Sequence, residues 1–166
     1  MIWLKGGALL LGCCALWACE EPASSATGAA PAAAPAPAAA PPPAPALART
    51  AAPAGAGAYI ISPRNGETVS SPVRVVFGLR GMGVVPAGIE RADAGHHHLL
   101  VDTGLPPLDT PIPADAQHVH FGGGQTETEL TLEAGSHTLQ LLLGDHLHIP
   151  HDPPIMSEPV TIQVQP

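Results

Sequence analysis

Nine histidines carry most of the chemistry this chain could perform, and all of them lie between residues 96 and 151. "AGHHHLLVDTG" sets His96, His97 and His98 side by side, "QHVHF" adds His118 and His120, and "GDHLHIPHDPP" adds Asp145, His146, His148 and His151. A neutral imidazole is a metal ligand, and it is also the side chain that changes charge near pH 6.5. On a β-strand, residues i and i+2 share a face, so His96 with His98, and His118 with His120, can each converge on one ion at bonds of about 2.0 Å. His97 points the opposite way. The candidate ligands are therefore His96, His98, His118, His120 and His148, followed by His146 and His151. His137, alone in "GSHTLQ", reads as structural.

The donor types narrow the ion. Imidazoles with carboxylates and no thiolate suit Cu(II), Zn(II) or Ni(II), and copper leads the divalent series, so copper comes first and zinc second. Met82 and Met156 could add a soft thioether for Cu(I), although packing is the commoner role of such residues. Asp102, Asp109, Asp115, Asp145 and Asp152 are candidates for orienting imidazoles from outside the ligand set, although ordinary work in turns and caps is the commoner role of such residues. Three histidines and an open coordination position could also activate water or dioxygen. The chain offers no obvious general base beyond scattered aspartates, no "HExxH" motif and no paired carboxylates, so a binding role is expected before a catalytic one. "FGGGQTE" lacks the strand–Gly–Lys–helix setting of a phosphate loop and reads as a backbone kink beside "HVH".

These residues must be held by a small all-β domain. Within Ala58–Pro166, "AYIISP", "VRVVFGLRG", "HHHLLVD", "QHVHF", "TETELTLEAGSHTLQLLLGD" and "SEPVTIQVQ" are short apolar or alternating runs separated by Gly, Pro and Asn turns. In the second of these, Val73, Val75, Phe77 and Leu79 alternate with Arg74, Val76, Gly78 and Arg80. About seven strands in such a length predict an immunoglobulin-like antiparallel β-sandwich. "TETELTLEAGSHTLQLLLGD" is expected to be a hairpin that turns at Ala134–Ser136, with Leu130 and Leu132 facing in. Tyr59, Phe77 and Phe121 are the domain's aromatics, too few to build a sugar-binding platform.

Upstream, residues 1–19 read as a secretion signal: Lys5 precedes an apolar run from Gly6 to Ala18, too short to span a bilayer. "LWAC" makes Cys19 the expected lipidated residue of a bacterial lipoprotein. "LLGC", ending at Cys13, also fits but leaves an apolar region of only about seven residues. An uncleaved anchor or plain signal peptide is the alternative. With Cys19 acylated and Cys13 and Cys14 removed, the exported domain keeps no free thiol, which excludes Cys-based zinc and blue-copper sites. Residues 20–57 are rich in Ala and Pro and are expected to be a disordered tether reaching on the order of 100 Å from the membrane. Residues 58–166 hold four arginines, no lysine and twelve carboxylates. That balance disfavours nucleic acid as a partner and favours cations.

The segments "YIISPRNGETVSSPVRVVFGLRGMGVVPAG", "GHHHLLVD", "PIPADAQHVHFGGGQTETEL" and "GSHTLQLLLGDHLHIPHDPPIMSEPVTIQV" resemble domain-of-unknown-function family 4399. The resemblance runs from Tyr59 to Val164 and implies a small exported bacterial protein, often a lipoprotein. It also implies that His96–His98, His118, His120, His146, His148 and His151 belong to one pattern. The expected protein is thus an outer-membrane lipoprotein facing the periplasm, with a copper- or zinc-binding domain that buffers, delivers or senses the ion and could exchange it with a periplasmic metal-handling protein. A metal-free, pH-responsive envelope interaction module is the main alternative, and a metal-dependent enzyme a lesser one.

Overall fold

A computed structural model describes residues 48–166; the expected signal peptide, Cys19 and the tether as far as residue 47 lie outside them. Among the described residues there are nine strands and no helix: β1 Gly57–Ser62, β2 Thr68–Ser70, β3 Val73–Arg80, β4 Gly83–Val84, β5 Ala94–Val101, β6 His118–His120, β7 Glu127–Leu130, β8 Gly135–Gly144 and β9 Val160–Gln165. They form two sheets. A three-stranded sheet runs β1-β3-β7, and a six-stranded sheet runs β2-β9-β8-β5-β4, with β6 also paired to β5.

The period-two pattern decides which side chains fill the space between the sheets. Val73, Val75 and Phe77 of β3 meet Leu99 and Val101 of β5, Leu139, Leu141 and Leu143 of β8, and Ile162 and Val164 of β9, all buried. Burying side chains of this size removes roughly 1.5–3 kcal/mol each from contact with water, so this aliphatic layer fixes the strands in register. His97 enters the same layer, edge-on to Phe77 with ring centroids 4.9 Å apart. Neither of its ring nitrogens has a partner, and burial pushes its pKa down to about 4, so it is neutral.

The sandwich follows the sequence-based expectation, with three differences. Two pairings are parallel, β2 with β9 and β4 with β5, each over two or three residues. The first arises because the chain leaves the small sheet after β1 and crosses at Pro63–Glu67 to the far edge of the large one. The "TETELTLEAGSHTLQLLLGD" segment is not a hairpin. β7 pairs with β3 and β8 with β5 and β9, so the connection carries the chain from one sheet to the other. Leu130 and Leu132 do pack on the core, and β7 pairs with β3 over Val73–Val76, with Arg74 reaching Glu127 at 2.6 Å on the exposed side. The third difference lies at the N-terminal end. Thr50 and Ala52 exchange backbone bonds of 2.8 Å with Asp152, and Arg49 donates to the carbonyls of Pro150 and His151 and to the Asp152 carboxylate. The chain is therefore tied to the domain well before Ala58, in a stretch the composition assigned to the tether.

Candidate metal centre

The outer face of the large sheet carries the histidines. On β5, His97, Leu99 and Val101 point into the sandwich, which leaves His96, His98 and Leu100 on the opposite side. Antiparallel pairing sets His98 opposite His120 of β6 and His96 opposite Gly144 of β8. Directly opposed residues bring their side chains within about 5 Å, so His96, His98 and His120 meet without any special loop: one ligand atom from each lies within 4.8 Å of the others.

His148 closes the group from a loop. Asp145 organises that loop, since its Oδ1 accepts from the amides of Leu147 and Ile149, both at 2.9 Å, and its Oδ2 accepts from the Thr50 hydroxyl at 2.8 Å. The Asp145 amide donates to the carbonyl of Ile149, and the His148 amide donates back to the carbonyl of Asp145. His148 sits at φ 66°, in the left-handed region that non-glycine residues seldom adopt, and this turns its ring over the sheet. Its Nε2 lies 3.2 Å from Nε2 of His120, while Nε2 of His96 and His98 lie 3.1 Å apart. All six ring-centroid separations among these four residues fall between 4.8 and 5.8 Å.

Two glycines make room. A Cβ on Gly144 would come 3.1 Å from Nε2 of His98 and 3.2 Å from Cα of His148, and one on Gly122 would come 2.5 Å from the His120 ring. The "GGG" turn, expected as a kink beside "HVH", thus clears space for His120. Gly144 was not singled out in the sequence.

The electrostatics keep the inner rings neutral. Burial, and then the neighbouring His148 and His120, push the pKa of His96 down to about 4. Burial, and then His96, His120 and His148, push His98 to about 2. Burial and His148 also lower His120. Neutral imidazoles with free lone pairs are the form that binds a cation. Nδ1 of His96 and of His98 has no partner, so packing on the sheet orients these rings rather than the outer hydrogen bonds common around metal ligands.

The remaining candidates lie apart from this group. His118 shares the β6 face but turns Nδ1 to Asp115 at 2.8 Å, and that contact, with the Gln117 amide, holds the Asp115 carboxyl below its usual range. His146 lines a separate surface cavity of about 220 Å³ with Thr50, Glu90, Arg91 and Asp145. His151 is buried beside Gly95, without a well-formed hydrogen bond at either nitrogen. Burial lowers its pKa against the opposing pull of the Leu143 carbonyl and Asp145. Of the carboxylates expected around the site, Asp145 builds the His148 loop. For Asp145, burial is outweighed by the Thr50 hydroxyl and the Ile149 and Leu147 amides, which hold its carboxyl low. Asp102 instead bonds His137 at 2.6 Å, and Asp152 pairs with Arg49 at 3.1 Å. Thr50 and Arg49, which brace the loop, lay hidden in the Ala/Pro-rich stretch.

No curated protein and no solved structure matches the chain. The sequence profile of the family described as "Domain of unknown function (DUF4399)" matches residues 75–165, more than half the chain and a span that contains all four converging histidines. The protein therefore belongs to the DUF4399 family.

Proposed function

We propose that the domain binds one transition-metal ion through His96, His98, His120 and His148, and that the protein buffers, delivers or senses that ion. The observation that carries this reading is the mutual approach of four rings from three separate segments. Two neutral, fully buried imidazoles, His96 and His98, with no partner at Nδ1 are costly to assemble, and a shared cation offsets that cost. Copper and zinc both suit nitrogen donors. Export as a lipoprotein anchored at Cys19, display on a tether at the outer membrane and exchange with a periplasmic metal-handling protein belong to the same proposal and rest on the N-terminal sequence.

Metal content and competitive chelator titration of the full chain, purified without a histidine tag, test the proposal. One equivalent of copper or zinc at sub-micromolar affinity, weakened at least about 100-fold in His120→Ala, supports it. Binding no tighter than that of an unfolded His-rich peptide sinks it.

His137 favours a second reading. Both of its ring nitrogens face groups that only accept, the Asp102 carboxylate at 2.6 Å and the Glu133 carbonyl at 3.0 Å. A pH-responsive interaction module would use such a residue. Partner adhesion that changes between about pH 5 and 8 and ignores chelator would select it.

A further inference from the structure

The ring positions bear on the coordination shape as well as on the presence of an ion. Around one ion bound through Nε2 at about 2.0–2.1 Å, imidazole centroids lie about 3.2 Å from the metal. A tetrahedral set then has all six centroid separations near about 5.2 Å, whereas a square-planar set has four near about 4.5 Å and two near about 6.4 Å. The observed separations are 4.9 Å for His96–His98, 5.1 Å for His96–His120, 4.8 Å for His96–His148, 5.0 Å for His98–His120, 5.8 Å for His98–His148 and 4.8 Å for His120–His148. No two centroids reach the trans distance, and the four centroids form a slightly elongated tetrahedron; donor atoms of His96, His98 and His120 lie within 4.8 Å of one another, and His148 joins them through His120, Nε2 to Nε2 at 3.2 Å.

The fold resists flattening this shape. A square-planar ion pairs its four ligands into two trans couples, and with three ligands on the sheet, one couple must lie wholly among His96, His98 and His120. Those three are 4.9 to 5.1 Å apart and belong to strands held together by backbone ladder bonds. Moving any couple of them to about 6.4 Å would break the β5–β6 pairing or force side chains off their rotamers. His148 is on a loop and could adjust, but its movement does not relieve that couple.

Resting on the metal-binding reading above, we infer that the ion is Zn(II), held tetrahedrally by four imidazoles, and that the site discriminates against the tetragonal geometry of Cu(II). Zn(II) has no geometric preference from its d electrons and takes four nitrogens readily. Cu(I) also accepts a tetrahedron but is selected by sulfur donors. Met82 packs against the inter-sheet core and Met156 lies with Tyr59 and Arg80, so neither thioether joins the four rings. No carboxylate oxygen belongs to the four-ring set, which removes the basis for Ca(II) or Mg(II).

The test loads the full untagged chain separately with Zn(II), Co(II) and Cu(II). The expected result is one equivalent of Zn(II), Co(II) with the intense visible bands of a tetrahedral site, and Cu(II) whose paramagnetic resonance spectrum is distorted away from the tetragonal form. His120→Ala and His148→Ala, each checked for retained β circular dichroism, should both lose the tetrahedral cobalt bands. Co(II) with the weak spectrum of six-coordination, or Cu(II) with an undistorted tetragonal spectrum, would overturn the inference while leaving metal binding intact. Failure of all three ions to bind would overturn both.

Discussion

At the scale of single residues, the histidines of this domain are divided by what their nitrogens meet. His96, His98, His120 and His148 meet one another, and His97 meets Phe77. His118 and His137 meet aspartates. The alternation of a strand made the split between His97 and its neighbours legible in the sequence, and it made His118 and His120 look equivalent. What separates the latter two is Asp115, three residues before His118, whose carboxylate takes up Nδ1 of His118. His137 gives a test of residue chemistry. Its pKa is raised by the Asp102 hydrogen bond, against burial and with help from the Glu133 carbonyl. A folded pKa above the unfolded value contributes stability that is fully present below about pH 6.5 and is lost as pH rises through the folded value. Five other histidines have lowered pKa values and pull the opposite way, so the test is a difference: chemical denaturation of the metal-free protein from pH 6 to 9 should show the stability advantage of the native chain over Asp102→Asn shrinking as pH rises. A slope unchanged in the variant would place the titration elsewhere.

At the scale of elements, three of the four converging rings come from the pairing of β5 with β6, whose strands were readable as short apolar runs. The register that puts His98 against His120 was not readable, because it is set by side chains of β3, β8 and β9 that share the core with β5. The same limit explains the mistaken hairpin: charged and apolar residues alternated as expected along β7, but its partner is β3, a distant strand, and spacing along the chain does not name that partner. The loop bearing His148 was legible only as a His-rich stretch, "GDHLHIPHDPP"; its shape comes from Asp145 accepting two amides and a hydroxyl. Asp145→Ala leaves those donors unmatched. It should cost about 1–3 kcal/mol of stability and weaken metal binding by about 10–100-fold through misplacement of His148. Thermal unfolding and chelator competition read the two effects separately; full affinity in this variant would show that His148 needs no such support.

At the scale of the whole molecule, the acidic surface, the small aliphatic core and the two-sheet architecture all followed from composition and periodicity. The N-terminal limit did not, because Ala and Pro content around residue 50 resembles that of the expected tether while Arg49 and Thr50 make specific bonds to the site loop. A chain beginning at Ala58 should keep the sandwich, since the buried inter-sheet core lies at or beyond that residue. It should release metal faster than a chain beginning at Ala48, as measured by stopped-flow transfer to a chelator. Equal release rates would mean that the loop holds itself.

That attachment has a mechanical side. The strand of chain that enters the domain runs parallel to the segment after His148 and is bonded to it at Asp152, one side chain away from Asp145. Tension applied from upstream of Ala48 is borne first by these few bonds, in the loop that carries His148, and only later by the ladders that carry His96, His98 and His120. Traction on the chain would therefore open the site from its loop side with the sandwich still folded, making the hold on the ion depend on load.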